Sequence, residues 1–517
     1  MKKMHLSYLA VLIAVLFLMP AVGFSQPKHG GTLNISIRSD PTQLDPIRAL
    51  SWQDSVVGQL AVQSLVEPDK NFDMVPGLAE SWDISASGKE WTFHLRKGVK
   101  FHNGRELTSD DVKWNLDRMM DPAKGAVQGT SFRRMIDSIE VVDRYTIKFI
   151  LKVTAGGFLD AHGGTFYRAP ILAKESFDEE GKLSRLIGTG PFEFVEWKVA
   201  DHIRFKRYAD YWEKGLPYVD EVIIKPLPDE IMRLTALRTG DLDISTTLPP
   251  DEVERLKKRE KDFTFVNRVT EFGVVFFNLS RPPFNNEKVR QAWAYGIDKE
   301  EMMIAVTNGT GEVINQPFPP ESHWYLDVPE RKRDIEKAKA LLKEAGYPNG
   351  VDVELTISLD VPWYIRGGET QQDQLKEIGF RIKIDRLEWG AYVSKVVANE
   401  DQAFMTSLRL FSDPDQIFPT FFYPDGSFSI AFGPPGSYGN QKVVELLRQG
   451  GMEMNLDKRK KLYAETLTLV EEDVPWIVYT TRPSSVGWRN SVKGFEPPVS
   501  AQWVYMGGGL AHTWLDE

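Results

Sequence analysis

The sequence predicts an α/β protein with at least two globular lobes and mixed sheets, and three observations carry that prediction. Its 517 residues, 42% of them hydrophobic, exceed what one core organises. Runs in which apolar and polar residues alternate recur along the chain, as half-buried strands require. In the second half these runs alternate with stretches of helical period, and strand, helix, strand is the unit of a mixed or parallel sheet.

Gly30-Gly31 leads into Thr32–Ile37, where Leu33, Ile35 and Ile37 alternate with polar residues as an opening strand. Residues 40–46 read as a loop. Residues 76–111 form a compact meander in which Trp91, Phe93 and Leu95 alternate with Thr92, His94 and Arg96, and Val99 and Phe101 repeat the pattern. Gly88, Gly98 and Asn103-Gly104 fall where the chain must reverse, since these residue types reach positive φ at low cost. Thr108 stands three residues before Asp111, a capping-box pair, and Val112, Leu116 and Met119 follow at helical spacing. Residues 141–153 read as a further hairpin strand, and Gly188-Thr189-Gly190-Pro191 is a second break. Phe192, Phe194 and Glu196, then Ile203, Phe205 and Arg207, make an antiparallel pair turning near Asp201, with a strand at 222–224 beyond it.

From Asp229 the period changes. Ile231, Leu234 and Leu237 share a helix face that Gly240-Asp241 ends before a strand at 242–244. Residues 285–295, 335–345, 370–377 and 463–471 are helical by period, Gly346 stopping the second, and 353–357 and 381–384 are strands flanking the third.

Composition excludes several functions. The absence of cysteine leaves no disulfide framework, no thiolate metal site, no cysteine nucleophile and no lipidated N-terminal cysteine. A formal charge of -10 without long single-sign blocks disfavours a nucleic-acid partner. Residues 1–25 have the zones of a secretory signal: Lys2 and Lys3, an apolar run from Leu6 to Met19, then Pro20, Ala21, Gly23 and Ser25, with cleavage expected after Ser25. An uncleaved anchor is the alternative, because the uncharged stretch reaches about the length that spans a bilayer. His-Glu-x-x-His, Gly-x-Ser-x-Gly and Gly-x-x-x-x-Gly-Lys patterns are all missing, and the Gly-Thr-Gly-Pro at 188 lacks a dinucleotide context. His94 and His102 share one meander but are isolated. A secreted glycoside hydrolase would need just two carboxylates across a cleft. Asp413 and Asp415 are two apart, yet Asp-Pro-Asp is more simply a turn or helix start shaped by proline. No catalytic residue, metal or cofactor is therefore expected.

The chain from about Gly30 to its C-terminus resembles the family 5 extracellular solute-binding proteins, receptors of peptide, nickel and related ATP-driven importers. The blocks that carry the resemblance are LAESWDIS to TSDDV, GTGPFEF at 188, DYWEKGLPYVDEV at 210, LRTGDLDI at 237, PPFNNEKVRQAWAYGIDKEEM at 282, AKALLKEAGYPNG at 338, LEWGAY at 387 and DPD at 413. It implies two lobes joined by two crossings of the chain: lobe I over 28–66, 188–270 and 484–517, an inserted subdomain over 67–187, and lobe II over 271–483. It also implies a periplasmic, monomeric substrate-binding subunit that closes on a ligand, hands it to a membrane permease and catalyses nothing. A peptide is the first expectation for the ligand. An oligosaccharide or other organic solute is the second, and a secreted hydrolase the competing class.

In peptide-binding relatives an aspartate a few residues before the DPD element holds the ligand's amino terminus. Here that place is Leu410, beside Arg409 and Phe411, so the contact is lost unless a shifted register lets Asp413 substitute. Arg409 or Arg366 is expected to hold an anionic end instead; local surface pairing of each arginine is the alternative. Trp82, Trp91, Trp212, Trp389 and Trp476 lie in family blocks and are read as core packing. Trp52, Trp363, Trp488 and Trp503 lie outside them, and with Tyr364, Phe411 and Tyr438 they complete the candidate ligand contacts, exposed loop packing being the alternative.

Overall fold

The computed structural model describes residues 26–49, 52–69, 74–126, 129–159, 169–320, 322–409, 411, 413–426, 428–497 and 509–516. The expected signal segment, Trp503 and Leu410 lie outside them, as does the side chain of Trp52, which opens the helix Trp52–Gln59.

Ten strands form one mixed sheet: β1 (Thr32–Ile37), β2 (Phe192–Lys198), β3 (His202–Arg207), β4 (Glu221–Pro226), β5 (Ile244–Leu248), β6 (Phe263–Phe277), β7 (Val351–Ser358), β8 (Phe380–Leu387), β9 (Ala403–Arg409) and β10 (Trp476–Arg489). Their order is β8-β7-β9-β6-β10-β5-β1-β4-β3-β2. β1 runs parallel to β4 and β5. β7 runs parallel to β8 and β9. Between these two groups β6 and β10 pair antiparallel, each long enough to serve both halves of the sheet.

Apolar side chains on the two sides of this junction pack into separate cores. Phe272 to Phe277 on β6 and Trp476 to Tyr479 on β10 belong to one core with Trp293, Leu355, Phe418 and Tyr463. The other ends of the same strands meet a core containing Leu33, Ile35, Phe205 and Val222, to which Val486 and Trp488 contribute. The molecule is thus a two-lobe periplasmic-binding-protein fold in which two strands cross from lobe to lobe. Irregularities sit at the crossings: the β6–β10 register shifts between Val269 and Glu271, and Pro483, which has no N–H to donate, faces Val269.

A third core belongs to the insertion. Ala79–Ile84, Glu90–Leu95, Thr146–Leu151 and Ile136–Asp143 form a four-stranded antiparallel sheet, in that order. Trp91, Phe93 and Leu95 point into its core. The helix Ser109–Met120 covers the sheet, with Val112, Leu116 and Met119 buried; the Thr108–Asp111 capping box satisfies amides that its first turn leaves free. Val99 and Phe101 bury their side chains as the alternation predicts, but they form no strand. Lys100 makes one isolated bridge to Glu106, because the Gly98 and Gly104 turns leave too little chain between them. The expected single strand at 141–153 is instead two strands that reverse at Arg144-Tyr145.

Candidate ligand-binding site

The sheet register itself locates the crevice. Leu248, at the carboxyl end of β5, pairs with Ser485 on β10, which pairs with Asn267 on β6. Arg409, at the carboxyl end of β9, pairs with Glu271 on β6. The carboxyl ends of the parallel strands of both lobes therefore converge on residues 267–271 and 482–485, the place where open α/β sheets take their ligands.

Helices begin at the same edges: α1 (Glu230–Thr239) and α2 (Pro250–Lys257) in lobe I, and α3 (Pro362–Lys376), α4 (Trp389–Val397) and α5 (Pro414–Phe422) in lobe II. At the convergence Glu271 stands between Arg409 and Arg482 in the registers of three adjacent strands. Arg482 donates to Glu271 at 2.8 Å, both side chains about one-third exposed, and its guanidinium lies 4.8 Å over the Trp363 ring. Both signs of charge are thus held within one half-desolvated group. Burial raises the pKa of Glu230 on α1, and Arg482 is among the charges that oppose the shift, so the pair also feels lobe I.

Arg233 frames the lobe I side. Its buried guanidinium donates to the carbonyls of Thr246 at 3.0 Å, Leu227 at 2.5 Å, Pro228 at 2.8 Å and Thr247 at 2.7 Å, tying α1 and the loop before it to the carboxyl end of β5. Thr247 lies within β5, where the register against β10 shifts between Ser245 and Leu248, and has φ 48, uncommon for a β-branched residue. Its hydroxyl is buried without a hydrogen-bond partner.

Of the candidate contacts, Arg409 belongs to this group, and Trp363 and Tyr364 adjoin it, on the first turn of α3 and not on a loop as their place after a strand suggests. Their rings meet edge to face at 4.2 Å, and the Tyr364 hydroxyl lies 3.1 Å from Thr406 Oγ1 and accepts from the Ser407 N–H at 3.0 Å. Trp363 is 5% exposed, so what it offers a ligand passes through Arg482. Arg409 is exposed at the end of β9, and Phe411 packs half-buried against the lobe II core.

Arg366 has a helix-end role: its guanidinium donates to the carbonyls of Ala305 at 2.7 Å and Val306 at 3.1 Å, near the end of the helix Lys299–Thr307. Ligand contact by Asp413, Tyr438 or Trp488 meets a physical obstacle, because each is closed into a core. Asp413 is 0% exposed, caps α5, and receives the Arg459 guanidinium in two bonds of 2.9 Å. Tyr438 donates to Asp473 at 2.6 Å and packs 5.1 Å from Phe422. Trp488 packs edge-on to Phe495 at 5.2 Å in the lobe I core.

Sequence reasoning missed Glu271, Arg482, Thr247 and Trp389. Trp389 corrects the core reading: it is 50% exposed at the start of α4 and stacks on Tyr392 at 5.5 Å. Trp91 and Trp476 are buried as expected, while Trp82 and Trp212 pack half-buried against the insertion core. Among the described residues no cluster of three or more His, Asp or Glu could hold a metal ion, and no helix is long and apolar enough to cross a membrane.

Comparison with known proteins places this architecture. The glutathione-binding protein GsiB of Pectobacterium atrosepticum is 29% identical over 461 residues, 86% of this chain and 88% of that protein. The heme-binding protein A of Haemophilus influenzae is 32% identical over 449 residues, 81% of each chain. Among solved structures, the periplasmic binding protein DppA from Helicobacter pylori in complex with the peptide STSA superposes with a TM-score of 0.80 at 27% identity, covering 95% of this chain and 99% of that one. Residues 73–429 match the family described as Bacterial extracellular solute-binding proteins, family 5 Middle. With that match over most of its length, the chain belongs to the family 5 bacterial extracellular solute-binding proteins, the substrate-binding components of ABC importers.

Proposed function

We propose that the protein captures a short peptide with free amino and carboxyl ends between its two lobes and presents it, without turnover, to a membrane permease. The observation that carries this reading is Glu271 flanked in register by Arg409 and Arg482 where the carboxyl ends of both lobes' strands converge. An anionic and a cationic partner side by side suit a zwitterion, and a closed cleft strengthens both contacts by excluding water. Closure follows differential affinity: ligand that touches both lobes favours the closed state by what it gains there. The register shift at Val269–Glu271 and Pro483 are the proposed hinge points, so lobe II would run over 271–483 and lobe I would take up 28–66, 188–270 and 484–517 around the insertion. Relatives that bind glutathione and the peptide STSA support the ligand class. Export by residues 1–25 and a monomeric state in the periplasm complete the proposal.

A second reading has its own observation. Half-exposed Trp389, stacked on Tyr392 at the start of α4, suits a flat conjugated solute, and the relative at 32% identity is a heme-binding protein. A thermal-shift screen of the mature protein against di- and tripeptides, glutathione, haem, oligosaccharides and nickel chelates separates the two. A true ligand at about a hundredfold excess over its Kd stabilises the fold by about 2.7 kcal/mol. If every peptide leaves the melting temperature unchanged while haem or a sugar raises it, the peptide reading is wrong. Appearance of hydrolysed product would refute capture without turnover.

A further inference from the structure

The insertion touches lobe II directly. The Gly156 N–H donates to the Gly451 carbonyl at 2.9 Å, joining the insertion to α6 (Gln441–Met452). A Cβ on Gly156 would lie 1.8 Å from the Glu453 carbonyl oxygen and 3.3 Å from Arg459 Cδ, so the two backbones approach as only glycine permits. Beside this contact Met454 Sδ lies 3.3 Å from where a Gly88 Cβ would stand, and Arg134 pairs with Asp425 at 2.9 Å.

Both sides of the contact are stiff. Ala155 and Phe158 flank Gly156 and bury in the insertion core, Phe158 packing 4.9 Å from Trp91, so the insertion presents Gly156 on a fixed turn. Across from it Arg459 donates to the Gly450 carbonyl at 3.1 Å and to Asp413, which caps α5, and Asp415 in its first turn, beyond the cleft strand β9. One guanidinium therefore separates the contact from the cleft edge. The crossing strands take no part in it.

We infer that Gly156 is a positioning residue for ligand capture: it docks the insertion onto lobe II as a second clamp, independent of the hinge strands, that holds the closed state and lengthens the life of the bound complex. This rests on the reading that the lobes close on a ligand. A contact made in the closed state alone favours that state whatever the ligand, and its loss appears mainly as faster dissociation.

The test uses the mature protein with Gly156→Ala. Gly156 has no left-handed φ, so alanine suits its backbone and meets an obstacle in the lobe II contact alone. Nitroxide labels on cysteines replacing exposed Glu140 and Lys461, in a chain free of native cysteine, report the insertion-to-lobe II distance. Without ligand, Gly156→Ala should deplete the short-distance population. For the di- or tripeptide that most raises the wild-type melting temperature, its dissociation should quicken by about tenfold, or 1.4 kcal/mol. Asp425→Arg should shift the distances in the same direction by less, and adding Arg134→Asp should restore them. An unchanged distance distribution in Gly156→Ala overturns the proposal. If Gly156→Ala does not fold, an unchanged distribution in Asp425→Arg overturns it. Should no peptide bind the wild type, the capture reading fails while the distances still decide the clamp.

Discussion

Replacing Arg459 by methionine should destabilise lobe II severely, and the structure sets the scale. The Arg459 side chain is 3% exposed, with Asp413 at 0% and Asp415 at 9%, and its guanidinium reaches both carboxylates at 2.9 Å. It also lies 4.8 Å over the Trp324 ring, and Tyr463 donates to Asp415. Burial already pushes Asp415 above its usual range, with Arg459 acting against that shift. Methionine would keep much of the apolar stem but strand two buried acids, and breaking a buried pair from one side costs about 3–5 kcal/mol. Without the arginine both acids would titrate above their unfolded value of about 3.9. The excess loss should therefore be full at neutral pH and fade as pH falls below about 4, where folded and unfolded chains both become protonated. Denaturant unfolding followed by tryptophan fluorescence at several pH values measures this, and adding Asp413→Asn and Asp415→Asn should recover most of the loss. If Arg459→Met stays within about 1 kcal/mol of wild type at pH 7, as an exposed ion pair would, the account of Asp413 as a structural residue is wrong.

Glu67 is buried in the insertion, accepts one hydrogen bond from the Ser64 N–H at 2.6 Å, and is pushed by burial up to about 8. A raised carboxyl contributes stability that is full below its unfolded pKa near 4.5 and is lost as pH rises through 8. Melting scans should show this decline, and Glu67→Gln should flatten it; an equal slope in both proteins would exclude Glu67 as its source. Arg482→Gln should weaken binding of the selected peptide at least about tenfold, with Lys recovering part of the loss, whereas unchanged affinity would remove the central pair from the site. Trp389→Ala should weaken haem binding by about 1 kcal/mol or more if the flat-solute reading holds, and leave folding unaffected because half the ring is already exposed.

What the sequence revealed follows from where local chemistry decides structure. The Thr108–Asp111 cap, the turns at Gly88, Gly98 and Gly104, and the period of Trp91, Phe93 and Leu95 are set within a few residues of themselves, and all were legible. The start of α3 was not: its periodic face was read from Thr370, while Pro362, a helix-starting residue, stands where the helix begins. The cleft was harder still. Glu271 and Arg482 lie 211 positions apart and meet through pairing of the two crossing strands, which no local pattern encodes. Asp413 misled because its partner Arg459 is 46 residues away. Trp389 misled because residence in a family block was read as burial, although a helix that starts at a strand's carboxyl edge leaves its first side chain half in solvent.

Hydrogen exchange of the mature protein, with and without the peptide that most raises its melting temperature, tests the central claim most directly. Slowed exchange should gather on both lobes at once, at 246–248, 267–271, 405–409 and 482–485, where the strand ends converge. Protection confined to one lobe, or falling away from the two crossing strands, would contradict capture at this junction.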